Sequence, residues 1–377
     1  MSDDGVRRIL VFRLGSMGDF IVALPCFRML RERYPTAHIT LITNLPLNAR
    51  AAPAQEILSN TKYVDSFIDY PAEYHGFKQL RQIRNAIRSL RPELFVYLRE
   101  QPHWLAVFRD AMFLDWLTGT KIIGLPMTHD LRTGFVKIVD GQHLHEYEGH
   151  RLFRCISRID KGFEFERTEN WDLHLSDSDM EIADRSLGSI SLDSGTDIQF
   201  VALSVGTKQS VNDWGDANWQ IVLDGLKNRK ICLVTIGGAE DRPRSQELIK
   251  FWPGPSLNLC GAISPRVSGA VLKRCVLFLG HDSGPMHLAA AVGTRCIAVF
   301  SRRNSPGKWF PHGAGHKVFY PETEAGIAGI NPARVIEGAF DAIDRRENEI
   351  SSCMQEQTSN CTAICERQTR ANDVIFE

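Results

Sequence analysis

The stretch RILVFRLGSMGDFIVALP, residues 8–25, decides how the chain is read. Its apolar opening runs into Gly15 and Gly18, the punctuation of a strand that ends in a tight turn. From Asp19 onward the apolar positions fall at helical spacing, so the segment predicts a strand over 8–14 and a helix over 19–34. Asp19 then stands near a helix N-terminus, behind a glycine loop whose Gly15, Ser16 and Gly18 let other groups approach closely. Three roles are open to it: a carboxylate that complements the helix dipole, a ligand-binding group, or a proton acceptor.

Outward from this stretch the same grammar repeats. HITLIT (38–43), VDSFIDY (64–70) and LFVYL (94–98) read as strands separated by helical patterns, the signature of a parallel sheet with helices on both faces. A polar run over 176–197 reads as an inter-domain connection that contains at most a short helix. Strands then resume at 200–205, 230–238, 275–280 and 295–300, with helices expected near 218–228, 244–251, 265–273 and 285–292. The organisation expected is an N-terminal Rossmann-like domain over 1–180, a second over 198–345 and a tail over 346–377, poorly ordered or packed as an appendage, with the active site in a cleft between the two domains.

Composition narrows the function. With 377 residues, 24% of them charged and a net charge of −1, the chain is an ordinary globular protein without the bulk positive potential of a nucleic-acid binder. No apolar run has the length of a signal peptide or a spanning helix, so the cytoplasm is the expected compartment. Nine cysteines show no C-x-x-C pairing and mostly sit in apolar runs, as reduced core residues do. Cys353, Cys361 and Cys365 are too irregularly spaced to read as a metal site, and no metal is expected. The basic positions Lys78, Arg81, Arg84, Arg88 and Arg91 have helical spacing, and HWLAVFRDAMFLDWL (103–117) follows them. The pair could rest on an anionic membrane or be a solvated face beside a core helix.

The second informative stretch is FLGHDSGPMHLAAAVG, residues 278–293. A strand runs into Asp282, Ser283 and Gly284, and Pro285 then opens an alanine-rich helix. Such a terminus offers backbone N–H groups and the positive end of the dipole to a phosphate, with His287 as a further donor; an ordinary capped packing helix is the alternative. Consecutive His281, Asp282 and Ser283 cannot converge as a hydrolase triad. LGSMGD lacks dinucleotide-fingerprint spacing, and VGTKQS lacks the first half of a P-loop. Gly206, Thr207 and Lys208 nevertheless follow a strand at the edge where open sheets bind ligands, so Lys208 either meets a diphosphate or is a solvated loop lysine.

Together these residues resemble the bacterial heptosyltransferase family, glycosyltransferase family 9. FRLGSMGDFIVALP follows its N-terminal signature throughout, and DSGPMHLAAAVGTRCIAVF follows its C-terminal one. SVGTKQSVNDWGDANW (204–219) and SPGKWFPHG (305–313) also look like family segments, and the likeness spans about 8–345. The resemblance implies a GT-B fold of two Rossmann-like domains facing one another across a cleft. It implies an inverting, metal-independent transfer of a sugar, heptose from ADP-heptose, to a lipopolysaccharide or other surface-glycan acceptor. Asp19 is then the general base. Gly206, Thr207, Lys208, Asp282, Ser283, Gly284 and His287 bind the nucleotide-sugar donor without any cofactor, and the glycolipid acceptor suggests peripheral contact with the inner membrane. One departure stands out: many relatives carry a phosphate-binding lysine where this chain has Asn212. Two rivals stand beside this reading: a nucleotide-sugar epimerase or hydrolase on the same fold, and a non-catalytic nucleotide-sugar-binding protein, which the missing lysine makes conceivable.

Overall fold

The computed structural model describes residues 5–44, 52–70, 77–139, 141–189, 198–321, 326–358 and 373–376. The chain divides into two units, Met1–His174 with Ser305–Trp309, and Leu175–Asn304 with Phe310–Glu377.

The first unit carries β1 (Arg8–Phe12), α1 (Met17–Val22), α2 (Leu24–Arg33), β2 (His38–Asn44), α3 (Ala54–Leu58), β3 (Ser66–Tyr70), α4 (Phe77–Ser89), β4 (Leu94–Tyr97), α5 (Trp104–Thr118) and β5 (Ile122–Ile123). Then follow α6 (His129–Thr133), β6 (Val136–Val139), β7 (Gln142–His145) and α7 (Glu148–Ile156). Its parallel sheet has the order β3-β2-β1-β4-β5, and β6 pairs antiparallel with β7. The β1 run buries Ile9 to Phe12 on both faces, as a central parallel strand must. Phe12 stacks at 5.8 Å on Tyr97 and meets Tyr70 edge-on at 5.2 Å. The expected single helix over 19–34 is two helices that share Ala23 as a cap, because Pro25 in the first turn of α2 cannot continue the ladder of α1.

The second unit carries α8 (Asp177–Gly188), β8 (Gln199–Ser204), α9 (Asp216–Leu226), β9 (Ile231–Thr235), α10 (Arg242–Ile249), β10 (Ser256–Asn258), α11 (Pro265–Arg274) and β11 (Leu277–His281). It continues with α12 (Gly284–Ala291), β12 (Arg295–Val299), β13 (Lys317–Tyr320), α13 (Pro332–Thr358) and β14 (Asp373–Phe376). The sheet, parallel throughout, runs β10-β9-β8-β11-β12-β13-β14. Leu203, Trp214, Trp219, Val222, Leu279, Val299, Phe319 and Val335 fill one core under α9 and α13. Burying each such side chain is worth about 1.5–3 kcal/mol.

Two expectations are corrected here. The polar segment read as a connection contains α8, a full helix of the second unit, and the units part at His174 and Leu175. Ser176 and Asp179 cap it reciprocally, with Asp179 N–H donating to Ser176 Oγ (3.1 Å) and Ser176 N–H to Asp179 Oδ2 (2.9 Å). It docks on α11 through the pairs Arg266–Asp179 and Arg274–Asp184 and by burying Ala183 and Leu187. Nor is 346–377 simply a tail: α13 runs on to Thr358, and Asp373–Phe376 adds a parallel strand against β13. Cys361 and Cys365 lie outside the described residues, as does the Cys353 side chain; the six described cysteines are buried and free.

Candidate active site

Each sheet reverses its strand order once, between β1 and β4 and between β8 and β11. In open parallel sheets the crevice outside the carboxyl ends at that reversal is where ligands bind. The candidate residues gather at both places.

In the first unit the reversal opens onto a cavity of about 580 Å³ lined by residues that include Asp19, Arg13, Gly15, Arg99, Glu148 and Trp309. Asp19 lies in the first turn of α1, with Ser16 as the N-cap and Gly18 buried between them. Its Oδ2 accepts from Ser16 N–H (2.8 Å) and Ser16 Oγ (3.2 Å). Oδ1 stands 3.8 Å from Arg13 Nη2. Arg13 is buried and ties three elements together: Nε donates to Asp19 O (2.9 Å), Nη1 to Leu98 O (2.8 Å), and its backbone N–H to Ile42 O (3.1 Å). Gly15 N–H donates to Asn44 Oδ1 (2.7 Å), which pins the loop to the end of β2. Gly15, at φ +149°, was expected to make room for an incoming group. Its missing side chain instead makes room for Asp19, whose Cγ would lie 2.4 Å from an alanine Cβ.

The rest of this cavity was not anticipated. Buried Asp110, on α5, accepts from Tyr97 OH and from Gln101 Nε2, both at 2.7 Å, which fixes the turn after β4 that carries Arg99 and Glu100. Buried Glu148 is held bidentate by Arg151 Nε (2.8 Å) and Nη2 (2.5 Å). A strap of five residues, Ser305–Trp309, belongs to this unit although its sequence neighbours belong to the other. Pro306 O accepts from His145 N–H (2.7 Å), Lys308 O accepts from Glu148 N–H (2.9 Å), and Lys308 Nζ pairs with Glu100. Gly307, at φ +90°, passes so close to His145 O that a Cβ would lie 2.3 Å away. Trp309 thereby joins the cavity wall. Asn44 and Tyr70 close β2 and β3 and Arg99 lies just past β4, and that position was the one sequence signal that could have singled them out.

In the second unit β8 and β11 are neighbours, with Ser204 opposite Gly280, so the loop 206–208 and the start of α12 share one sheet edge. Ser283 caps α12 from an extended conformation, and its buried Oγ has no hydrogen-bond partner among the described residues. The Met286 and His287 N–H groups turn back to Ser283 O (3.1 and 3.3 Å), which leaves the Gly284 N–H beyond reach of the helix's own carbonyls. Burial pushes His287 down to about 4, so at neutral pH it is a hydrogen-bonding imidazole and not a cation. Asp282 Oδ2 accepts from Asn304 Nδ2 (2.5 Å). Lys208 is exposed, and Thr207 Oγ1 donates to Gln209 O (3.0 Å). Where Gly206 has no side chain the Asp241 carboxylate sits, 2.3 Å from a would-be Cβ. Asn212 accepts from Ser301 Oγ (2.5 Å). Beneath this edge Trp214 N–H donates to His281 Nε2 (3.0 Å), and Arg244 grips Asp213 with two bonds of 2.8 Å. Among the described residues no cluster of His, Cys, Asp and Glu could hold a metal ion.

Two Rossmann-like units, each with polar loops gathered at its point of strand reversal, have the GT-B fold. Residues 106–326 match the sequence profile of glycosyltransferase family 9 (heptosyltransferase), and the chain belongs to that family. Two lipopolysaccharide heptosyltransferase 3 proteins are related to it. One, from Escherichia coli, is 29% identical over 28% of this chain and 32% of its own length. The other, from Escherichia coli K12, is 23% identical over 75% of this chain and 79% of its own. Similar solved structures include the family 9 glycosyl transferase of Veillonella parvula DSM 2008, with 16% identity and a TM-score of 0.67 over 90% of this chain and 98% of that one. The ADP-heptose lipopolysaccharide heptosyltransferase II of Escherichia coli aligns with 18% identity and a TM-score of 0.64, over 90% and 99%.

Proposed function

We propose that this glycosyltransferase moves heptose from ADP-heptose to a lipopolysaccharide acceptor with inversion, and that Asp19 is the general base. The observation that carries the reading is the Asp19 carboxylate on the wall of the switch-point cavity, with Ser16 holding one oxygen. Asp19 takes the proton of the acceptor hydroxyl as that oxygen bonds to the anomeric carbon. The bond from that carbon to the β-phosphate oxygen breaks, and ADP leaves with the electron pair. Oδ2 is engaged by Ser16, so Oδ1 is the proton acceptor.

The diphosphate charge is met by Ser283 Oγ, the Gly284 N–H at the start of α12 and His287, with Lys208 assisting from the neighbouring loop. Gly206, Thr207 and Asp282 shape that loop and helix start. The names of the Escherichia coli relatives support both the sugar and the acceptor class. A lipid-borne acceptor places the work at the cytoplasmic face of a membrane.

The test is Asp19→Asn. Asparagine keeps a side-chain oxygen for the Ser16 N–H, so folding and ADP binding are expected to stay near normal. Heptose transfer is expected to fall by about 10²–10⁴. Near-normal transfer by the folded variant would remove Asp19 from the mechanism.

A further inference from the structure

Helix α5 is apolar on both sides, yet only one side is covered. Val107, Leu114 and Leu117 are buried against the sheet, while Trp104 (62% exposed), Leu105 (62%), Phe108 (56%) and Met112 (60%) face outward. At 100° per residue these four fall within one stripe about 100° wide, followed by Trp116 at its edge. A helix apolar all round is ordinarily enclosed, and an exposed stripe of this size and composition marks an interaction surface.

The charge beside the stripe says what it meets. Helix α4 packs on α5 and contains no acidic residue; its Lys78, Arg81, Arg84 and Arg88 repeat at helical spacing. Arg84 lies over the Trp116 ring, 4.9 Å from its centroid, and donates to Trp116 O (3.1 Å), while Arg88 donates to the same carbonyl (2.9 Å). The cationic row therefore borders the apolar stripe at Trp116. The acidic residues nearby are engaged: Glu93 with Arg8, Glu100 with Lys308, and Asp110 with Arg109; Asp115 is the exposed exception. Tryptophan, phenylalanine and leucine on one face with arginine and lysine alongside suit the boundary between acyl chains and anionic headgroups.

We infer that the α5 stripe and the α4 cationic row form a docking surface for an anionic lipid bilayer, into which Trp104, Leu105, Phe108 and Met112 insert. No helix in the described residues is long and apolar enough to cross a membrane, and this surface lies in the interface without spanning it. The inference deepens the reading of a lipid-borne acceptor, but its test involves no sugar transfer, so failure of one leaves the other standing.

The full chain is mixed with phosphatidylethanolamine vesicles containing phosphatidylglycerol, or with phosphatidylcholine vesicles, and the bound fraction is read by flotation. Binding to the anionic vesicles is expected, weakening as salt is raised. Trp104→Ser with Phe108→Ser and Met112→Ser, and separately Lys78→Glu with Arg81→Glu, should each lower the partition coefficient by about tenfold or more. Brominated lipid should quench the fluorescence of the parent protein and quench Trp104→Phe less. The charge variant alters exposed side chains alone, so it decides the matter even where the apolar variant folds poorly. Absence of binding by the parent, or unchanged binding in a folded charge variant, overturns the inference. So does a parent dimer that the apolar variant splits, which would assign the stripe to a second copy of the chain.

Discussion

Replacing Gly15 by alanine would test whether the carboxylate position, and not its mere presence, sets the rate. Built on the backbone, the alanine Cβ lies 2.4 Å from Asp19 Cγ, where ordinary contact begins at 3.4 Å, so the carboxylate must retreat by 3.4 − 2.4 = 1.0 Å. A displacement of that order in a reacting group costs roughly 10² in rate. The φ of +149° adds backbone strain of about 1–3 kcal/mol, enough to lower the melting temperature by several degrees without unfolding the unit. The assay is acceptor-dependent ADP release, with ADP affinity followed by calorimetry and folding by thermal melting. The expected result is a loss of about 10² in kcat/KM with ADP affinity retained, because the groups assigned to ADP belong to the other unit. A folded Gly15→Ala protein that transfers sugar within about threefold of the parent rate would refute the reasoning.

Ser283→Ala removes a buried hydroxyl that bonds to nothing in the described residues, so stability should hold or rise while ADP binding weakens by about 3–10-fold, measured by urea unfolding and calorimetry. His281, His287 and His316 are each pushed by burial from 6.5 to about 4. Trp214 N–H and Cys296 N–H donate to ring nitrogens of His281 and His316, bonds that protonation would abolish. Below about pH 6.5 the unfolded chain therefore binds more protons than the folded one. Stability is intact above that pH and falls toward pH 4, by up to about 1.4 kcal/mol per pH unit per histidine. Urea unfolding across that range should show the loss, and a flat profile would contradict it. Glu148→Gln strands the buried Arg151 guanidinium and should cost about 3–5 kcal/mol by urea unfolding; a loss under about 1 kcal/mol would show the pair to be replaceable.

The β–α alternation was legible because parallel strands are buried on both faces, and the runs at Arg8–Phe12, His38–Asn44 and Leu277–His281 are rich in Ile, Leu, Val and Phe without a strict polar alternation. The loop position of Asp19 and the start of α12 followed from glycine and proline placement. That α8 is a full helix of the second unit escaped because its docking rests on Asp179 and Asp184 meeting arginines 87 and 90 residues away, with few apolar residues to set a period. The break at Ala23 was signalled by Pro25, which the apolar run on either side masked. Arg13 looked like the end of a strand, and its grip on Asp19 depends on the fold bringing Leu98 alongside. Glu100, Glu148 and Trp309 come to one cavity from positions up to 209 residues apart, since 309 − 100 = 209, a distance over which no local pattern carries information.

The strap at Ser305–Trp309 makes the first unit a discontinuous piece of the gene. A fragment ending at His174 would lack the carbonyls that receive the His145 and Glu148 N–H groups, the cation that pairs with Glu100, and the indole of the cavity wall. Chimeras that exchange halves with a relative at that junction would graft a foreign strap onto the native first unit. An exchange that respects the structure must cut in three places, carrying residues 305–309 with the N-terminal half. Recombination within the family thus faces a barrier at the single crossover that the linear sequence invites.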